Sequence, residues 1–336
     1  MVQAGVGVAI AASGSAAPIA ALTNDQLSTI VETSDEWIQT RTGIRSRRLA
    51  QSEDTLSSLA AAAGTAAIAA AGLSADDIDL ILLATSTPDD LFGSAVQVQA
   101  QIGATRAVAF DLTAACSGFV FGLVTAAQFV RTGTYRRVLL IGADVLSRWV
   151  DWSDRGTCIL FGDGAGAVVL QATDGRDRLL GFELRSDGQL NHTLKLAFQG
   201  TPQPLTAGVT ATAGRYQPII MNGREVYRFA VAKVPEVISK ALFRADLATS
   251  DIDWLLLHQA NQRILDAVAD RLGVPREQTL SNLADYGNTS AASIPLALDA
   301  AVRRGQVQPG DKIVAAGFGA GLTWGAAVFE WGVVET

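Results

Sequence analysis

Two rhythms of apolar residues alternate along this chain. Short unbroken runs such as "DLILLA" (79–84), "VLLIGA" (138–143) and "WLLL" (254–257) are closed off by polar or turn residues, as in strands buried on both faces. Longer stretches carry helical spacing, for example "SGFVFGLVTAAQFVRTG" (117–133), which stops at Gly133. The apolar opening contains "GVGVAIAAS" (5–13), read as a first strand. It lacks a basic residue before its apolar run and is broken by Gly and Pro, unlike a signal peptide.

The alternation repeats. "DDIDLILLATS" (76–86) matches "SDIDWLLLHQA" (250–260) at a shift of 174, and the same shift lays "AACSG" (114–118) on "NTSAA" (288–292). Each half continues as an Ala-rich helix ending in a basic residue and Gly, then an apolar strand, Gly-rich turns and another strand. Ordered repetition at a near-constant shift predicts a duplication, with halves at about 1–172 and 173–336. The fold class is α/β, each half carrying a largely buried sheet covered by helices.

Composition fits that picture. Of 336 residues, 49% are hydrophobic and only 18% charged, so the chain can bury a large core. No run reaches the roughly 18 apolar residues of a membrane span, and a net charge of −7 argues against general nucleic-acid binding. Two cysteines imply no disulfide framework and suit a reducing compartment, so a soluble, cytoplasmic chain is expected.

Duplication brings equivalent strand ends together about a pseudo-twofold axis, where α/β sheets collect ligands. Three useful side chains fall there. Cys116 follows the strand "AVAFDL" and starts a helix, His258 ends "WLLL", and Asn288 starts the helix that pairs with the Cys116 helix. A thiol at a helix N-terminus is drawn towards the thiolate by the macrodipole. Each residue also has a structural reading: a small buried hydrophobe for Cys116, a satisfied strand-end imidazole for His258, an N-cap for Asn288. Together they make a nucleophile with two donors that can polarise a thioester carbonyl. Cys158 reads as core and His192, in a polar loop, as solvated.

Two rivals share parts of this set. Papain-like peptidases run Cys, His, Asn, but their cysteine signature and disulfides are missing and the duplication does not suit them. "GFGAGLTWG" and "FGDGAGA" lack the acidic residue that follows a dinucleotide-binding glycine loop. Their glycines better serve close backbone approach, and an N–H of "GFGAG" could face Cys116 in an oxyanion hole.

The segments "TSDEWIQTRTGIRSRR" (33–48), "AACSGF", "DRGTCILFGDGAGA", "HQANQRI", "GNTSAASIP" and "GFGAGLTWG" occur in that order. Together they resemble the β-ketoacyl-[acyl-carrier-protein] synthase III family of type II fatty acid synthesis, over nearly the whole chain except about 187–218. The resemblance implies a thiolase-like fold of two similar halves in α-β-α-β-α layers. It also implies decarboxylating condensation of an acyl-CoA primer, usually acetyl-CoA, with malonyl-ACP (ACP, acyl carrier protein). Cys116 would take the acyl group, His258 and Asn288 would hold the malonyl thioester oxygen, and the N–H groups of Cys116 and Ala320 would form the oxyanion hole.

By the same resemblance Trp37 and Arg155 would sandwich the CoA adenine and Arg41 would contact a phosphate. Phe92 would floor the acyl pocket of the other subunit of a homodimer, favouring short primers. Arg224, Arg228 and Arg263 would line the carrier-protein approach, a local basic patch on an acidic chain. Taken without the motifs, these residues read as surface or structural pairings. Acyl-CoA would be a substrate, with no resident cofactor and no metal. The alternatives are a synthase III-like condensing enzyme or acyltransferase of secondary metabolism, and a non-catalytic scaffold of the same fold, against which the intact Cys116, His258 and Asn288 speak.

Overall fold

The computed structural model describes residues 6–332. The apolar runs form two five-stranded sheets. The first runs Gly7–Ala16, Asp163–Thr173, Arg137–Val145, Leu80–Ala84, Val108–Leu112 in spatial order. The second runs Leu179–Ser186, Thr323–Glu330, Lys312–Gly319, Trp254–Leu257, Thr279–Leu280. In both, the first three strands pair antiparallel and the last three parallel. Order, pairing sense and sequence direction agree strand by strand, as descent from one repeated unit requires. The first strand starts at Gly7, and Gly5 lies outside the described residues.

Five layers result. Gly118–Arg131 and Ser293–Arg303 lie between the sheets and pack on strands of both. Nearly every side of Gly118–Arg131 is buried, which explains its apolar composition all round. One continuous core joins Leu80, Phe119 and Val138 of the first half to Leu256, Leu298 and Phe329 of the second. Leu56–Ala70 and Ala95–Ile102 cover the outer face of the first sheet; Gly223–Arg244 and Gln262–Leu272 cover that of the second. This is the layered α-β-α-β-α arrangement expected of a thiolase-like fold. Among the described residues, no helix is long and apolar enough to cross a membrane.

The repeat has a finer register than the residues alone suggest. Strands Leu80–Ala84 and Trp254–Leu257 match at 174, but the 3-10 turns Ala115–Ser117 and Ser290–Ala292, and the helices after them, match at 175. Cys116 therefore corresponds to Ala291, not Ser290. Two glycines make these turns possible. A Cβ on Gly142 would lie 2.2 Å from the Ala291 carbonyl oxygen, and one on Gly317 would lie 3.3 Å from that of Cys116.

The segment left unplaced in the sequence, 187–218, holds a short 3-10 stretch and an antiparallel hairpin, Phe198–Thr206 with Val209–Tyr216. Its first strand is exposed throughout. It is anchored at its base, where Tyr216 packs edge-on against Trp149 and Phe198.

Candidate active site

A cavity of about 450 Å³ opens between the halves, and Cys116, His258 and Asn288 all line it. The three residues singled out by position thus meet in one space, each delivered by a different element.

Cys116 sits in the 3-10 turn Ala115–Ser117, one step before the helix starting at Gly118. The turn needs Ala115 at φ 47°, a left-handed conformation that a residue with a Cβ adopts only under tertiary constraint. The expected thiolate is not what the environment favours. Burial, opposed by a hydrogen bond from Ser290 and reinforced by the nearby Asp144 charge, pushes the Cys116 thiol up to about 12. Desolvation is the largest of these influences, because the sulfur is enclosed by protein.

The Cys116 N–H has no side chain facing it from the Gly319 strand. Gly319 closes on this turn so tightly that a Cβ there would lie 2.6 Å from the Cys116 nitrogen. In the other half the residue corresponding to Gly319 is Asp144, whose Oδ2 accepts the N–H of Ala291, the counterpart of Cys116, at 3.1 Å. The duplicated turn is capped by its own protein in one half and left for a ligand in the other. Thr323 ties the neighbouring chain to the same place: its hydroxyl bonds the carbonyls of Ala114 at 3.0 Å and Ala320 at 3.2 Å.

His258 is buried at the end of its strand. Burial brings its pKa down to about 3, so the imidazole is neutral. Its Nδ1 lies 2.7 Å from Ser293 Oγ, which also accepts the Gln259 backbone N–H at 3.3 Å. Nε2 is thus the ring nitrogen left to the cavity, and a Ser293 hydroxyl that donates its hydrogen to Nδ1 leaves the ring proton there. Phe318 packs edge-on against the imidazole, with centroids 5.3 Å apart. His258 therefore offers the cavity a neutral donor.

Asn288 does not start a helix, as its position suggested. It precedes the turn Ser290–Ala292, and the helix begins at Ser293. Its Oδ1 accepts the Ser290 N–H at 2.9 Å, so its capping role is real but local. With that oxygen occupied, the Nδ2 hydrogens remain for the cavity. The Asn288 backbone is fixed to the first half by bonds with Leu160 and Gly162.

The basic residues divide by location. Arg41, Arg224 and Arg263 line the cavity; Arg228 is exposed on the same helix as Arg224 but is not part of the lining. None of the four has an ion-pair partner among the described residues. Trp37 has the guanidinium carbons of both Arg41 and Arg155 4.7 Å from its ring centroid. At that distance Arg155 touches the indole directly, so no gap is open between the two residues expected to form a sandwich. Phe92 is fully exposed and lies outside the cavity, in a shallow groove with Leu91 and Phe110. Cys158 is buried, in a turn rather than a strand, and His192 is exposed.

Four contributors were not read from the sequence: Asp144, Ser290, Ser293 and Arg47. Ser290 and Ser293 stood within "GNTSAASIP", but nothing in their spacing says which side chain they meet across 35 or 174 residues. Arg47 is fully buried and ties residues 22–24 to Ile159 by bonds to Leu22 O, Asn24 Oδ1 and Ile159 O.

Comparison with known proteins places the chain in one family. Residues 110–188 match the family model for 3-oxoacyl-[acyl-carrier-protein] synthase III, and 242–331 match its C-terminal counterpart. The chain is 69% identical over 327 residues to the β-ketoacyl-[acyl-carrier-protein] synthase III of Trichormus variabilis, covering 97% of this chain and 99% of that one. It is 67% identical over 335 residues to that of Synechococcus elongatus, covering 99% and 100%. Among solved structures, 3-oxoacyl-[acyl-carrier-protein] synthase III from Aquifex aeolicus superposes with a TM-score of 0.88 at 42% identity, covering 97% of this chain and all of that one. The priming β-ketosynthase of the R1128 polyketide pathway gives 0.90 at 35%, covering 99% and 98%.

Proposed function

Because the chain belongs to the β-ketoacyl-[acyl-carrier-protein] synthase III family of condensing acyltransferases, we propose that it joins acetyl-CoA to malonyl-ACP through an acyl group carried on Cys116. Cys116 Sγ attacks the acetyl thioester and CoA leaves. Malonyl-ACP then enters, and its thioester oxygen takes hydrogen bonds from His258 Nε2 and Asn288 Nδ2. Loss of CO₂ leaves an enolate on that oxygen, held by the same two donors. The enolate carbon attacks the acetyl carbonyl, whose developing oxyanion meets the N–H groups of Cys116 and Ala320. Collapse frees Cys116 and releases acetoacetyl-ACP.

The observation that carries this reading is the hydrogen-bond economy of the three side chains in one cavity. The Nδ1 of His258 and the Oδ1 of Asn288 are already engaged by protein groups, so each presents a neutral donor beside an enclosed thiol. Neutral donors suit an enolate that must next act as a nucleophile; a protonated imidazole would hold it too well. Acyl-CoA is a substrate in this scheme and no resident cofactor is called for. Arg41, Arg224 and Arg263 around the cavity, with Arg228 beside them and none with an ion-pair partner among the described residues, suit CoA phosphates and an acidic carrier protein. The protein would act in the cytoplasm as a homodimer, with Phe92 completing the partner's acyl pocket.

Intact mass spectrometry with acetyl-CoA and longer acyl-CoAs tests this. An acetyl adduct absent from Cys116→Ala and converted by malonyl-ACP to acetoacetyl-ACP is expected. The likeness to a priming β-ketosynthase of a polyketide pathway favours one second reading, priming with a longer or unusual acyl group. An adduct confined to such groups would select it, and no adduct with any acyl-CoA would remove Cys116 as nucleophile.

A further inference from the structure

The sulfur that must carry negative charge during acyl transfer sits where charge is opposed. Burial and the nearby Asp144 charge both work against a thiolate at Cys116. Among the described residues, neither His258 nor Asn288 has a located bond to that sulfur. Ser290 does. Its Oγ lies 3.3 Å from Cys116 Sγ and donates its hydrogen there, the one side-chain hydrogen bond located at the sulfur.

The duplication shows what that hydroxyl is for. The turns Ala115–Ser117 and Ser290–Ala292 correspond at a shift of 175, so the counterpart of Ser290 is Ala115. Both residues are left-handed, at φ 47° and φ 53°. One half therefore builds this turn with a methyl side chain, and the conformation does not call for a hydroxyl. The tie to Asn288 does not call for one either, because the Ser290 backbone N–H donates to Asn288 Oδ1 at 2.9 Å. What the hydroxyl adds is a buried donor aimed at a nucleophile 174 residues away in the chain.

We propose that Ser290 is a catalytic residue of acyl transfer, donating a hydrogen bond to Cys116 Sγ whenever charge collects on the sulfur. In acylation Cys116 gives its proton to water and its electron pair bonds to the acetyl carbon. The carbon–sulfur bond to CoA breaks with its pair on the CoA sulfur, which takes a proton from water. In condensation the enolate carbon bonds to the acetyl carbon, and the bond from that carbon to Cys116 Sγ breaks with its pair on Sγ. The charge that decarboxylation placed on the enolate thus ends on the sulfur, which regains a proton from water as the product leaves. Ser290 keeps its own proton throughout. A hydrogen bond to a charged sulfur is stronger than one to a thiol or thioester sulfur, so this donor favours the charged moments of both steps over the resting states.

This inference rests on Cys116 as the acyl acceptor. Its test compares wild type with Ser290→Ala, which copies the turn of the other half, and with Ser290→Gly, which suits the positive φ; melting temperature checks folding. Three rates are read: acetyl transfer from acetyl-CoA to Cys116, transfer onward to malonyl-ACP, and decarboxylation of malonyl-ACP with no acyl group on Cys116. Both transfers should slow by roughly 10- to 10²-fold, the effect of losing one hydrogen bond to a charged group. Decarboxylation puts no charge on the sulfur and both variants keep the backbone N–H that holds Asn288, so it should stay within about threefold of wild type. Alkylation of Cys116 by iodoacetamide at neutral pH should also slow, since it too draws on the thiolate.

Two results overturn the proposal. Folded variants that take up and pass on the acetyl group as fast as wild type would make Ser290 a packing residue. A decarboxylation rate that falls as far as the transfers would show Ser290 acting through Asn288 and not through the sulfur. If Ser290→Ala does not fold, Ser290→Gly decides. If wild type accepts no acyl group, the proposed function fails, and the iodoacetamide rates still read the donor.

Discussion

Ser293 Oγ faces two ways, accepting the Gln259 N–H and meeting His258 Nδ1, and that double contact decides which nitrogen of the imidazole reaches the substrate. Removing it in Ser293→Ala leaves a buried N–H and a buried ring nitrogen unsatisfied, at a cost of roughly 1–3 kcal/mol of stability. The ring is also free to take the other tautomer, which aims a lone pair at the malonyl oxygen. Decarboxylation of malonyl-ACP is expected to fall at least tenfold while Cys116 acylation stays within about threefold, with partial rescue in Ser293→Thr. Separate assays of the two half-reactions check this, and an equal loss in both would show a general packing defect instead. The sequence offered Cys116, His258 and Asn288 because each stood at the end of a recognisable element. Ser293 and Asp144 stayed hidden because they act through a partner far along the chain. Burial works on charge in the same hidden way: the helix start favours a thiolate, and enclosure by protein, which the residues do not show, pulls the thiol the other way.

The inner strands and central helices were legible from apolar rhythm alone, since each is buried on both faces and carries little else. The 3-10 turns were not legible. Ala115 and Ser290 adopt positive φ because neighbouring strands require it, and neither is a residue that advertises the conformation. That is also why the repeat slipped by one position at the nucleophile, while the strands before it kept the shift read from the residues. The turns depend on glycines that let a strand lie against them, which yields a prediction. A Cβ at Gly319 would meet the Cys116 nitrogen at 2.6 Å, with backbone on both sides and no flexible tip to yield. Gly319→Ala should displace the Cys116 N–H and slow acyl transfer about 10²-fold, the size of effect seen when one oxyanion donor is lost. Gly142→Ala, 2.2 Å from the Ala291 carbonyl, strikes the matching turn that carries no nucleophile. It should lower the melting temperature, and because that turn holds Ser290 3.3 Å from Cys116 Sγ and is bonded to Asn288, the rate should fall with it. Acylation rates and thermal melts of the two variants, taken together, distinguish these outcomes.

At the scale of the molecule, one edge of the first sheet is finished differently from the rest of the protein. Val108–Leu112 has a strand on one side only, and Val108 and Phe110, on one face of it, are 49% and 39% exposed. The adjoining loop adds Leu91 and a completely exposed Phe92. An unpaired edge lined with apolar side chains, its one carboxylate, Asp111, engaged by the Ser94 and Ala95 N–H groups, invites pairing with a second strand, and an identical strand related by a twofold axis would satisfy both copies at once. The matching edge of the second sheet is the two-residue strand Thr279–Leu280, too short to do the same. This asymmetry between otherwise equivalent halves is the physical ground for expecting a dimer through the first half alone. The exposed hairpin at 198–216 was unreadable for a related reason: with Pro202 and Pro204 in a strand exposed along its length, it has no buried face to impose a period. Phe110→Lys puts a charge in the centre of the edge without touching the cavity. It is expected to shift the protein from dimer to monomer in light scattering and to leave each half folded, because the sheet's inner strands do not depend on that side chain. If Phe92 closes the partner's acyl pocket, the monomer should also lose its preference for acetyl-CoA over longer primers while its Cys116 still takes up an acyl group. A monomer that keeps the acetyl preference would confine Phe92 to the interface, and a dimer that survives Phe110→Lys would move the interface to another face.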